Sequence, residues 1–165
     1  MAGSPAEQLR GVRLSAGESD CRGASLTRCA ASCAIEAGVL APRRMRAFTA
    51  AVLAHWGISG ASEYEIREIV SELVTNACLH SGSVDVSLTL TMYGDTIHLT
   101  VRDSGRWKRR RRDPLGINGR GLALVSHQAT RSGLTRSAGG TEAWAQREVP
   151  AADLLRSCGP WECPC

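Results

Sequence analysis

The chain has 165 residues, 43% of them hydrophobic, with 20 Lys and Arg set against 16 Asp and Glu. That is the size of one domain able to bury a core without staples, and no run approaches the roughly 20 apolar residues that cross a bilayer, so no membrane is expected. The net charge of +4 is local: Lys108, Arg109, Arg110, Arg111 and Arg112 alone supply +5, which argues against a broad nucleic-acid face.

Seven cysteines could mark a secreted disulfide scaffold. Their number is odd, their spacing uneven, and Cys78 falls inside the strongest helical stretch, so reduced thiols in a cytoplasm are expected instead.

In chain order, residues 1–24 are small, polar and Gly-rich without period, and are expected to be a flexible lead-in. Ser25 to Ile35 is expected as an edge strand. Pro42 stands where a helix starts, and Met45, Phe48, Val52 and Trp56 follow at helical spacing before Gly57, giving a helix over about 42–56. A second helix is expected from Ser62, a candidate cap with Glu65 three residues on, to His80, where Ser81-Gly82 stops it.

From Val84 the period becomes two, with Val84, Val86, Leu88, Leu90 and Met92 on one face. Tyr93-Gly94-Asp95 turns the chain into a strand carrying Ile97, Leu99 and Val101 inward. Residues 104–120 lack period and form a long loop of the kind that is usually functional. A short helix over Gly121 to Ala129 and a hairpin across Ala138-Gly139-Gly140 follow. Residues 150–165 read as a separate, disordered tail, because the C-x4-C-x-C spacing of Cys158, Cys163 and Cys165 matches no common zinc pattern.

Chemistry gathers at the helix edge. Ile66, Ile69, Val70, Leu73, Val74 and Ala77 form one apolar arc, with Asn76 at its margin and Glu72 and His80 beside it. Partly burying such groups without partners costs about 1–3 kcal/mol each, so a polar ligand is expected to meet them. His80 itself suits a helix C-terminus. Strict alternation turns Asp103 inward at the end of its strand, and Gly119-Arg120-Gly121 offers free helix-start amides, glycine and a guanidinium to a phosphate.

The segments Glu72-Leu73-Val74-Thr75-Asn76-Ala77-Cys78-Leu79-His80, Val101-Arg102-Asp103-Ser104-Gly105, Gly119-Arg120-Gly121-Leu122-Ala123-Leu124-Val125 and Gly139-Gly140-Thr141 resemble, in order, the boxes of the histidine-kinase-like (GHKL, Bergerat-fold) ATPases. The resemblance covers about residues 25–149 and is strongest to anti-sigma factor serine/threonine kinases and stand-alone regulatory ATP-binding proteins. It implies a two-layer α/β (α+β) sandwich, helices on one face of a mixed, mostly antiparallel sheet, with ATP and Mg²⁺ as cofactors. By the same resemblance Asn76 holds the metal, Glu72 is the catalytic base, Asp103 accepts the adenine amino group with Thr141 in support, Gly105 admits the base, and Gly119 and Gly121 hinge the lid, with Arg120 between them at the phosphates.

A second glycine common in the family is replaced by Trp107, and the basic run has no counterpart there. The implied activity is phosphorylation of a partner regulator in a cytoplasmic, partner-switching system, the partner being a sigma factor or an anti-sigma antagonist; a homodimer is compatible. The alternative is a non-catalytic ATP-binding module that sequesters such a regulator. A free-standing sensor-kinase catalytic domain is weaker, because no phosphoacceptor helix is present.

Overall fold

The computed structural model describes residues 13–16, 28–105 and 120–154. In chain order they form β1 (Arg13–Ala16), β2 (Arg28–Glu36), α1 (Ala41–His55), α2 (Gly60–His80), β3 (Asp85–Tyr93), β4 (Thr96–Asp103), α3 (Arg120–Gln128), β5 (Arg131–Ser137) and β6 (Gly140–Glu148). The strands make one sheet in the order β1-β2-β3-β4-β6-β5. Every pairing is antiparallel. The helices supply the second layer of an α+β sandwich, as expected.

The register explains the core. Leu88 lies opposite Val101 and Leu90 opposite Leu99, while Leu99 and Val101 oppose Ala145 and Ala143. All six are buried, so the alternating positions of three neighbouring strands build one apolar surface. Fully burying each of the three leucines stabilises the fold by about 1.5–3 kcal/mol. Small Ala143 and Ala145 leave room for α2, which contacts β3, β4 and β6, whereas α1 covers β2 and β3. The expected arc of α2, Ile66, Ile69, Val70, Leu73, Val74 and Ala77, is buried in full. Among the described residues no helix is long and apolar enough to cross a membrane.

The structure departs from expectation at four places. β2 is not an edge, because Arg13–Ala16, expected to be unstructured, pairs with it. Val84 is 78% exposed and precedes β3; its carbonyl is taken by the Ala37 N–H, so the alternation starts at Val86. Ser62 does not cap α2. It lies within the first turn, and its N–H and hydroxyl both donate to Asp153 Oδ2 at 2.8 and 2.6 Å.

Asp153 also marks the fourth departure. The Asp153 carbonyl accepts the Ser59 N–H and Leu154 bridges Ile58, so residues 150–154 dock on the start of α2 rather than leaving the domain. The carboxylate supplies the cap that the helix's own residues lack. These hydrogen bonds hold the Asp153 carboxyl below the usual carboxylate range. The remaining tail, 155–165, lies outside the described residues, as does most of the lead-in.

Candidate functional site

The C-terminal half of α2 is the spine of the site. Glu72 and Asn76, four residues apart, project from one edge of the buried arc and are both half-buried. The start of α3 lies directly on them: a Cβ at Gly121 would overlap Glu72 Oε2 and sit 3.7 Å from Asn76 Nδ2. Any side chain there would force the Glu72 carboxylate to swing aside, so glycine lets α3 and that carboxylate keep this close approach. Asn76 Nδ2 is buried with no hydrogen-bond partner among the described residues. The oxygen and nitrogen of a carboxamide exchange by rotation, so the same buried position can present either a donor or an oxygen ligand.

A second cluster closes the other end. Asp103, the last residue of β4, is 7% exposed and faces Thr141, its register partner on β6, itself buried. Alternation along β4 puts the carboxylate in the same row as Ile97, Leu99 and Val101. Asp103 Oδ1 accepts the Gly105 N–H at 3.0 Å, which turns the chain immediately after the strand. At Gly105 a Cβ would overlap the Ser81 carbonyl and lie 2.8 Å from the Ser83 nitrogen. The turn is therefore wedged against the end of α2. Gly140, at φ 132°, brings β6 against the Asp103 backbone where a side chain would collide with the Asp103 carbonyl.

A hydroxyl cluster supports this wall. Ser83 Oγ donates to the Asp85 carbonyl at 2.7 Å, lies 2.8 Å from Ser104 Oγ and accepts the Ser104 N–H at 3.1 Å. Ser81, Ser83 and Gly140 were not among the expected site residues. Only the Gly139-Gly140-Thr141 box hinted at the last of them.

The structure thus brings Glu72, Asn76 and Gly121 into one cluster and Asp103, Gly105 and Thr141 into another. From Glu72 to Ser81 the spine rises about 13 Å. Arg120 opens α3. The Arg120 side chain, Gly119, Trp107 and the Lys108 to Arg112 run lie outside the described residues. His80 stands in the last turn of α2.

Chemically, one end offers a carboxylate and a carboxamide, a set that takes a hard cation and a proton. The other offers a buried carboxylate and a hydroxyl, a set that takes the hydrogen-bond donors of a planar polar group. No group of three or more His, Cys, Asp and Glu side chains gathers to hold a metal among the described residues. A cation at Asn76 would take its other oxygens from a ligand and water.

Known proteins share the sequence pattern and the fold of this chain. The family of the histidine kinase-like ATPase domain matches residues 36–147. An anti-sigma F factor of Anoxybacillus flavithermus (strain DSM 21510 / WK1) is 44% identical over 46 residues, 26% of this chain and 32% of that protein. The RsbU and RsbW domains of Rv1364c from Mycobacterium tuberculosis share the fold, with a TM-score of 0.58 at 24% identity over 72% of this chain and 32% of theirs. In both comparisons the match spans about a third of the other protein's length. With its match running from Glu36 to Arg147, through both residue clusters, this chain belongs to the family of histidine kinase-like ATPase domains.

Proposed function

We propose that the protein is an ATP-dependent regulatory serine/threonine protein kinase of the anti-sigma factor type, which phosphorylates a partner regulator and so changes which protein it holds. The observation that carries this reading is the pairing of Glu72 with Asn76 under Gly121, at the opposite end of the α2 spine from Asp103 and Thr141. A module that only bound ATP would need Asn76 and Gly121 but not the base, Glu72.

In this reading Asp103 accepts the adenine amino group and Thr141 supports the same ring, while the Gly105 turn lets the backbone approach the base. Asn76 holds Mg²⁺ through its carboxamide oxygen, and the buried, unpartnered Asn76 amide fits that role. The metal, when bound, neutralises charge on the phosphates. Glu72 takes the proton of the attacking hydroxyl. Gly121, with Gly119 and Arg120, seats the phosphates at the start of α3. The partner is a sigma factor or its antagonist.

A second reading, a non-catalytic ATP-binding module that sequesters a regulator, has one observation in its favour. The α3 backbone lies close over Glu72, which narrows the approach of a partner hydroxyl to that carboxylate. Incubation with Mg-ATP and a cognate antagonist separates the two. Transfer that Glu72→Gln abolishes, with nucleotide binding kept, supports the kinase; binding without transfer supports the module.

A further inference from the structure

One cation in the structure touches three elements at once. Arg147 occupies the inward row of β6 after Thr141, Ala143 and Ala145, opposite Ile97. Its Nη1 donates to the Gln128 carbonyl at 3.1 Å, and its Nη2 forms an ion pair with Glu65. Glu65 belongs to the first turns of α2, and Gln128 is the last residue of α3. The two side chains of the ion pair are only 25% and 27% exposed. A guanidinium at a helix C-terminus satisfies an orphan carbonyl and complements the dipole.

We propose that Arg147 is a positioning residue for the nucleotide site, a clasp that fixes the C-terminal end of α3 to α2 and thereby sets how Gly121, at its other end, lies on Glu72 and Asn76. The nucleotide part of this inference rests on the reading given above; the clasp does not. Without the clasp α3 can rock about its buried Val125; at 1.5 Å per residue Gly121 lies about 6 Å from that pivot, so a tilt of about 20° displaces it by about 2 Å. Misplacement on that scale is large for a site whose groups must be held to within about 1 Å. The two anchors also need a planar, two-pronged donor: a lysine ammonium is a point charge and cannot span both acceptors with the same geometry. Backbone bonds from Thr130 N–H to the Gln146 carbonyl and from Glu148 N–H to Thr130 Oγ1 fix the chain after α3 to β6, and Val125 packs the middle of α3 into the core; Arg147 adds the polar tie between the last residue of α3 and α2.

The test uses the full chain and the variants Arg147→Met and Arg147→Lys, with Val52→Ala as a core variant of α1 destabilised elsewhere. Amide hydrogen exchange is followed across α3, α1 and β3, and Mg-ATP affinity is measured by calorimetry. The clasp predicts α3 amides exchanging at least about tenfold faster in both Arg147 variants with α1 and β3 unchanged, and nucleotide binding weakened about fivefold or more. Val52→Ala should keep wild-type nucleotide affinity. Arg147→Lys retains the stem and charge, so it decides the matter if Arg147→Met does not fold. Wild-type exchange of α3 in a folded Arg147 variant would overturn the clasp. Faster α3 exchange with unchanged nucleotide affinity would overturn the positioning role. A wild-type protein that bound no nucleotide would instead refute the reading of the site, and the exchange measurement would still decide the clasp.

Discussion

Replacing Asp103 with Asn tests the proposed base-recognition end of the site. The substitution keeps an oxygen to accept the Gly105 N–H, held at 3.0 Å, so the turn after β4 survives. What changes is the second face of the group, from a charged acceptor to one that also presents N–H. Asp103 is 7% exposed, so water is poorly placed to replace a lost contact. A hydrogen bond to a charged group contributes about 1.5–3 kcal/mol, which corresponds to about a 10- to 150-fold weaker Kd for ADP. The same change should improve the relative binding of inosine diphosphate, whose ring carries a carbonyl where adenine carries an amino group, because the amide can donate to it and the carboxylate cannot. Calorimetry with both nucleotides, with thermal unfolding as a control for folding, measures this. An Asp103→Asn protein that bound ADP within about twofold of wild type and kept the same base preference would refute the assignment of this carboxylate to the purine.

Three further outcomes are expected. Gly121→Ala places a methyl group against the Glu72 carboxylate, which must swing aside, so nucleotide binding should weaken while stability changes by no more than about 1 kcal/mol; wild-type nucleotide affinity would show that the placement of Glu72 under α3 plays no part in the site. Leu99→Ala opens a cavity at a fully buried position in the middle of the sheet and should lower stability by about 2–5 kcal/mol, read as a reduced urea midpoint at unchanged slope. The Asp153 carboxyl titrates lower in the folded chain than its ordinary value of 3.8, so it contributes stability above that value and loses the contribution as pH falls through the folded pKa. Wild type should therefore lose stability more steeply than Asp153→Asn on acidification below the usual carboxylate range, and parallel denaturation curves for the two would contradict the cap.

Much of this arrangement is legible along the chain because it follows local periods. The arc of α2 and the inward position of Asp103 come directly from spacings of 3.6 and 2, and the Gly94-Asp95 turn between Tyr93 and Thr96 is a local signal too. What escapes is set by partners far away in sequence. Ser62 looks like a cap because it precedes an apolar run, but its donors are claimed by Asp153, 91 positions on, and no window of local sequence contains both. Arg147 looks like one more surface base until β6 and the ends of two helices meet around it. Arg13–Ala16 is too short to show a period, and only pairing with β2 makes it a strand. Within the site, Glu72, Asn76 and the glycine boxes were recognisable as types of residue, whereas the close seat of Gly121 on the Glu72 carboxylate depends on how α3 crosses α2.

The docking of residues 150–154 has a practical side. The family match stops at Arg147, and a recombinant version cut at that border would look complete by homology. It would lack the carboxylate that closes the first turn of α2, leaving the helix that carries Glu72 and Asn76 frayed at its origin. Work on the isolated domain should keep the chain at least through Leu154, or a weakened nucleotide site could be blamed on chemistry when the fault lies in the shears.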